Sequence, residues 1–224
     1  DLVTFESTCS VEKAKKLKLI NKKKILFWPL ASPFEFKIKH EDHERENTIL
    51  CVARLVRCKG QNVLIKAFSL IKDEAPNWKL ILAGPAIDNK YMNELVDLIK
   101  REGLDKRVLL VGGVHNELLY KLYKKSSIFV LPSINTESAG QVKYEATAFG
   151  LPVLTTDVPC AMDNLKNGWI VAKAGDHIEL ADKLRYLICS KEARIKQVEL
   201  AQKTLKTYKE SVMDLISILN SNKP

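Results

Sequence analysis

The apolar and polar positions of this 224-residue chain change rhythm near residue 48. Beyond it, short and almost wholly apolar runs at 49–53, 80–83, 108–111, 128–131, 153–155 and 169–172 predict strands. Between them apolar residues recur at helical spacing: Val63, Leu64, Ala67, Phe68 and Ile71, then Met92, Leu95, Val96 and Ile99, then Leu118, Leu119, Leu122 and Tyr123. A strand apolar on both faces must be covered on both, and helices alternating with such strands do this in a parallel sheet. The expected fold class is therefore α/β, a doubly wound parallel sheet spanning residues 48–205. A long helical tail is expected from Glu192 towards Leu219, with residues 206–224 as its carboxyl-terminal extension.

The region before residue 48 follows another pattern. Residues 1–38 read as one unit: a strand-like start at 2–5, a lysine-rich helical stretch at 11–20, and an apolar run at 25–28 closed by Pro29. Residues 39–47 are polar throughout and read as a linker or hinge.

Ligands of open parallel sheets bind beyond the carboxyl ends of the strands, so chemistry is expected in the loops that follow them. Three such loops carry unusual residues: 54–59, Gly112-Gly113, and 137–140. In the first, Arg54 offers a planar fork of donors and Lys59 a mobile point charge, a pair able to neutralise a diphosphate. Two solvated basic residues are the plainer reading of that loop taken alone.

Glu137 and Glu145 stand eight positions apart across a predicted loop-to-helix junction. Eight helical steps amount to roughly 12 Å along the axis and about 80° around it. Carboxylates that share one glycosidic bond cleavage lie about 5 to 9.5 Å apart. The spacing thus suits two grips on one elongated ligand. The small residues Ser138, Ala139 and Gly140 let an anion approach the N–H groups that open the helix, although a plain cap by Glu137 or Ser138 is the commoner use of such a junction. Glu145 lies among Tyr144, Ala146, Ala148 and Phe149; a carboxylate in packed company needs a polar partner, and a diol is a good one. Gly84-Pro85 and Gly112-Gly113-Val114 end strands, where turns usually employ glycine. His115 and His177 fall at predicted helix starts and read as caps. His40 and His43 could hold a metal on paper, but a polar linker explains them and no metal is expected. No Ser-His-Asp order, Walker loop or Gly-x-Gly-x-x-Gly occurs.

The formal charge of +9 comes from 36 basic and 27 acidic residues that are interleaved, without the concentrated basic face or motif of a nucleic-acid binder. No nucleic-acid partner is expected. A phosphorylated small molecule accounts for the charge, as does peripheral contact with an anionic membrane surface. No apolar run approaches the ~20 residues of a membrane span and the start lacks signal-peptide architecture, so a cytoplasmic location is expected. Cys9, Cys51, Cys58, Cys160 and Cys189 are scattered and form no Cys-x-x-Cys pair, which argues against a disulfide framework and against structural zinc. A chain that begins at Asp1 and enters an apolar stretch at once reads as a piece of something longer.

Ala-Arg-Leu…Lys-Gly-Gln, Lys-Leu-Ile-Leu-Ala-Gly, Val-Leu-Leu-Val-Gly-Gly-Val and Leu-Pro-Ser…Glu-Ser-Ala-Gly…Tyr-Glu-Ala-Thr-Ala-Phe-Gly-Leu-Pro-Val follow one another in this order. Over residues 48–205 that order resembles the carboxyl-terminal half of the retaining GT-B glycosyltransferases of group 1, or family 4. Its most specific part is the Glu-x7-Glu segment with the Ala-x-Ala-x-Gly-x-Pro-Val after it. Residues 1–38 are similar to the last strand–helix–strand of the family's amino-terminal domain, most of which is absent from this sequence. The resemblance implies a domain that holds a nucleotide-diphosphate sugar for retaining transfer to a saccharide or lipid-linked acceptor. Arg54 and Lys59 would bind the diphosphate, Glu145 the ribose hydroxyls and Glu137 the transferred sugar. The backbone at Ser138, Ala139, Gly140, Gln141 and Val142 would line sugar and phosphate, with Val114 near the base. Catalysis would fall to Glu137, Arg54 and Lys59 without a metal, and the isolated piece is expected to bind donor without transferring it. A sugar-nucleotide epimerase on the same fold and a non-catalytic binding subunit are the alternatives. Where the family commonly has Gly-Gly-x-x-Glu, this chain reads Val158-Pro159-Cys160-Ala161-Met162-Asp163, a departure in the loop after Asp157.

Overall fold

A computed structural model of the chain describes residues 3–5, 8–16, 25–27, 31–35, 37–42, 44–135, 140–159 and 168–221. Strand β1 (Val3–Phe5), helix α1 (Thr8–Lys16) and strand β2 (Ile25–Phe27) come first, the two strands pairing in parallel from Val3↔Ile25 to Phe5↔Phe27. The helix begins at Thr8, earlier than the lysine-rich pattern from Val11 implies; its expected end at residue 20 lies outside the described residues.

The larger part alternates as expected: β3 (Thr48–Val52), α2 (Gln61–Leu70), β4 (Lys79–Ala83), α3 (Asn89–Arg101), β5 (Val108–Gly112), α4 (Asn116–Lys125), β6 (Ile128–Leu131), α5 (Gln141–Ala148), β7 (Val153–Thr156), β8 (Ile170–Ala172) and α6 (His177–Cys189). Helices α7 (Lys191–Thr204) and α8 (Tyr208–Ser221) follow. Each of the six apolar runs became a strand, within one residue at either end. All are parallel, in the order β5-β4-β3-β6-β7-β8.

The pleat explains why these strands had to be apolar throughout. Ile49 and Cys51 of β3, Leu80 and Leu82 of β4, and Ile128 and Val130 of β6 enter one core with α2, α3 and α6. Their neighbours Leu50, Ala83, Phe129 and Leu131 enter the other, with Tyr123 of α4, Tyr144 and Ala146 of α5 and Ala201 of α7. Period-two alternation sends successive side chains to opposite faces, so a centrally placed strand needs apolar residues at every position. Coverage ends at the edge strand β5, where Leu109 and Val111 stay 42% and 39% exposed.

Two features depart from the sequence expectations. The helical tail is broken: Leu205 and Lys206 are non-helical, and α8 restarts on a capping box in which the Glu210 carboxylate accepts from the Thr207 N–H at 2.7 Å and the Thr207 hydroxyl accepts from the Glu210 N–H at 3.2 Å. At this break Ser32 bridges Thr207, its N–H donating to Lys206 O at 2.7 Å and its carbonyl accepting from Tyr208 N at 2.9 Å. The polar stretch 39–47 is also fastened down. Arg45 donates to five carbonyls, that of His40 (2.8 Å) and four at the carboxyl ends of α4 and α5, those of Tyr123 (3.2 Å), Lys124 (3.2 Å), Ser126 (2.8 Å) and Phe149 (2.7 Å). The His40 ring is buried with Nδ1 2.9 Å from Gly150 O.

Candidate functional site

Strand β3 is the point where the winding of the sheet reverses. The chain leaves it through α2 towards β4 and β5 on one side, and returns to β6, β7 and β8 on the other. The chain thus runs in opposite directions from the carboxyl ends of β3 and β6, and the usual ligand site of such sheets lies beyond those ends.

The loop after β3 is held on both flanks. Leu55 N donates to Pro85 O at 2.9 Å, and Cys58 O accepts from Ile134 N in the loop after β6 at 2.8 Å. Two glycines permit this closeness. A Cβ on Gly60, at φ +69°, would stand 1.9 Å from Pro132 O, and one on Gly84, at φ +152°, would stand 1.9 Å from Ala53 O. Within the loop, Arg57–Lys59 form a single 3-10 turn that ends on Gly60.

Of the basic residues here, Arg57 points away, pairing with Glu94 of α3 and lying 5.3 Å over the ring of Tyr91. Burial pushes the Tyr91 phenol up to about 12. Arg54 is exposed, and its guanidinium has no partner among the described residues, while its carbonyl is held by Gln61 Nε2 at 2.9 Å. Lys59 is half-buried at the end of the 3-10 turn.

Beyond the loop that follows β6, α5 opens at Gln141. Its N-cap is Gly140 in the left-handed region (φ 67°, ψ 59°), a residue with no side chain of its own to cap the first amides. The N-cap position itself is thus held by a glycine rather than by Glu137 or Ser138, and the amides that open such a helix favour an anion. Glu137, Ser138 and Ala139 lie outside the described residues. Since α5 begins only at Gln141, the twelve-ångström helical separation reckoned for Glu137 and Glu145 does not hold: half of the eight steps precede the helix. Gln141 and Val142 are half-buried on its first turn, Gln141 Nε2 donating to Ala31 O at 3.1 Å.

Glu145 sits one turn further along, half-buried, and has a protein partner that sequence reasoning missed. The Tyr123 hydroxyl of α4 donates to Glu145 Oε2 at 2.9 Å. Burial pushes the Glu145 carboxyl up from its ordinary range, and the phenol's hydrogen bond pulls it back. Tyr123 is fully buried and stacked on Phe149, with ring centroids 5.3 Å apart and planes at 17°. Burial and the neighbouring carboxylate hold its phenol well above the usual value. Its place in the apolar period of α4 marked it as core, and only its hydroxyl hinted at more. Val114, in the loop after β5, is buried in the same apolar cluster as Tyr123 and Tyr144, with Val142 packed against it.

Other candidates stand apart. His115 occupies the N-cap of α4 without a side-chain hydrogen bond, and α6 is capped by Asp176, which accepts from Ile178 N and Glu179 N at 3.0 Å, rather than by His177. His43 lies outside the described residues, and among those residues no three His, Cys, Asp or Glu side chains gather as metal ligands. Residues 160–167 of the variant loop are likewise outside, while Asp157 before them accepts from Ala174 N at 2.6 Å. No helix among the described residues is long and apolar enough to cross a membrane.

Known proteins share this layout. An uncharacterised glycosyltransferase of Methanocaldococcus jannaschii is 36% identical over 157 residues, which cover 68% of this chain and 38% of that protein. The capsular polysaccharide biosynthesis glycosyltransferase CapM of Staphylococcus aureus is 30% identical over 145 residues, 64% of this chain and 37% of that one. This chain thus spans less than two-fifths of the length of either relative. Among solved structures, Anabaena HepE in complex with UDP and glucose superposes with a TM-score of 0.80 at 21% identity, covering 98% of this chain and 63% of that one. The fold is accordingly the α/β sheet of GT-B glycosyltransferases. The sequence model of glycosyl transferases group 1 matches residues 33–204, most of this chain, and the chain belongs to that family.

Proposed function

We propose that this chain is the donor-binding part of a retaining glycosyltransferase of family 4, and that its crevice holds a nucleotide-diphosphate sugar. The observation that carries this reading is the contact of the β3 and β6 loops at the reversal of the sheet, with Arg54 and Lys59 on the first loop and the glycine-capped start of α5 after the second. The related HepE was crystallised with UDP, with UDP and glucose, and with UDP-glucose, which makes uridine diphosphates the first donors to try.

Each residue type has a task in this chemistry. Breaking a glycosyl–phosphate bond leaves negative charge on the diphosphate and positive charge on the sugar. Arg54, Lys59 and the α5 amides are prepositioned donors where the negative charge develops, and such groups act most strongly in a water-poor crevice. With two side-chain cations on the leaving group, the reaction requires no divalent metal. Glu145 receives the ribose hydroxyls, Val114 lies towards the base, and Glu137 meets the transferred sugar. Transfer proceeds with retention through a short-lived oxocarbenium-like species to a saccharide or lipid-linked acceptor carried by the amino-terminal domain of the whole enzyme.

Calorimetric titration with UDP, GDP, ADP and their glucose conjugates tests the assignment. Micromolar to low-millimolar binding of one diphosphate is expected, weakened about tenfold or more by Arg54→Ala or Lys59→Ala, since each removes a charge-assisted contact. Absence of binding at millimolar concentration, or binding unaffected by the double substitution, refutes it.

A further inference from the structure

We propose that Tyr123 is a positioning residue of the donor site, its hydroxyl holding one oxygen of the Glu145 carboxylate so that the other is presented to a vicinal diol of the bound nucleotide. This rests on the nucleotide-binding reading above and adds a residue to it.

Packing alone does not call for the hydroxyl. The Tyr123 ring is fixed between Phe149, at 5.3 Å and 17°, and Phe129, at 6.1 Å and 45°, in a cluster that a phenylalanine would fill equally well. A buried phenol must donate to something, and here the acceptor is Glu145 Oε2 at 2.9 Å. This carboxylate is in turn held by one oxygen only. Among the described residues no other group donates to Glu145, and no lysine or arginine pairs with it. Of the other groups near the pair, Cys51 of β3 lies towards the phenol, and Arg45 donates to the Tyr123 backbone carbonyl.

That arrangement selects its ligand by chemistry. A carboxylate paired with a cation would have its charge spent, whereas a phenol orients it and leaves the charge in place. The open oxygen can then accept from a ligand, and the two hydroxyls of a ribose diol are donors of the right kind. Burial alone would favour protonation and spoil the acceptor; the phenol opposes this.

Two measurements on the chain and its Tyr123→Phe variant decide the matter. The first follows the Glu145 side chain through its 13C carboxylate resonance, assigned by its loss in Glu145→Gln. The second compares calorimetric affinities for UDP, ADP and GDP, for their 2′,3′-dideoxy forms, and for inorganic pyrophosphate. The variant is expected to raise the titration midpoint of Glu145 and to cut the preference for ribose over dideoxyribose by about tenfold, the worth of a contact to a charged acceptor. Pyrophosphate affinity stays unchanged. An unmoved midpoint, a preserved preference, or equal weakening of all ligands including pyrophosphate overturns the role of Tyr123 alone. If the unaltered chain binds none of the diphosphates, the donor-site reading falls and this proposal falls with it.

Discussion

Replacing Gly60 by alanine tests how tightly the two site loops are locked together. A Cβ at this position would meet Pro132 O at 1.9 Å, Pro132 C at 3.0 Å and Ile134 Cγ1 at 3.1 Å. The first distance is more than an ångström inside contact, so one backbone must move. Pro132 and its neighbours are poorly placed to yield, because Thr156 Oγ1 holds Ser133 O at 2.6 Å and Ile134 N is bonded to Cys58 O. The left-handed backbone adds about 1–2 kcal/mol for a residue with a Cβ. Overpacking contributes about 1–3 kcal/mol more, and the stiffer unfolded chain returns about 0.4–1 kcal/mol. The net expectation is a loss of about 2–4 kcal/mol. Gly112 provides the control, with the same φ of 69° and nothing within 4 Å of its would-be Cβ. Gly112→Ala should therefore cost about 1 kcal/mol or less. Urea unfolding followed by tryptophan fluorescence measures both variants. If Gly60→Ala unfolds at the same midpoint and slope as Gly112→Ala, the loops are not locked as described and the steric argument fails.

Arg45→Met should destabilise the chain by about 2–4 kcal/mol, because it strips the donors from five carbonyls at once; an unchanged urea midpoint would show that water replaces them. Burial holds His40 down from 6.5 to about 4, so the folded chain keeps it neutral while the unfolded chain protonates below 6.5. Stability from this residue is complete above pH 6.5, falls as pH drops from there towards 4, and the loss levels off at about 3 kcal/mol. His40→Asn should flatten that slope between pH 6.5 and 4 in pH-resolved melts, and an unaltered slope would contradict the assignment. Thr207→Val removes one half of the capping box before α8 and should cost about 1 kcal/mol, seen as a loss of helical ellipticity on mild heating; no change would mean that the bridge to Ser32 alone sets the helix start.

The strands were legible because sheet burial leaves no polar position along Ile128–Leu131 or residues 80–83, a constraint that acts residue by residue. Strand order was not, since which strands become neighbours depends on crossover direction and leaves no periodic trace. Arg54 and Lys59 could be picked out by charge at a strand end, yet Arg57, which lies between them, has the same chemistry and spends it on Glu94. The start of α5 was misjudged because Gly140 caps by conformation rather than by a side chain. Tyr123 was hidden by its own success as a core residue. The broken tail did carry a signal, Thr207-x-x-Glu210, whose apolar surroundings read equally well as one continuous helix.

The bridge between Ser32 and Thr207 has a mechanical meaning. At this place two segments distant in sequence run side by side, tied by Ser32 N to Lys206 O and by Tyr208 N to Ser32 O. A single tether would swivel in any direction, as a ball joint does. A paired ribbon bends readily across its thin dimension and resists shear and twist, as a leaf spring does. The start of α8 is thereby fastened to the Ser32 segment on both sides of Thr207, by two backbone hydrogen bonds rather than one.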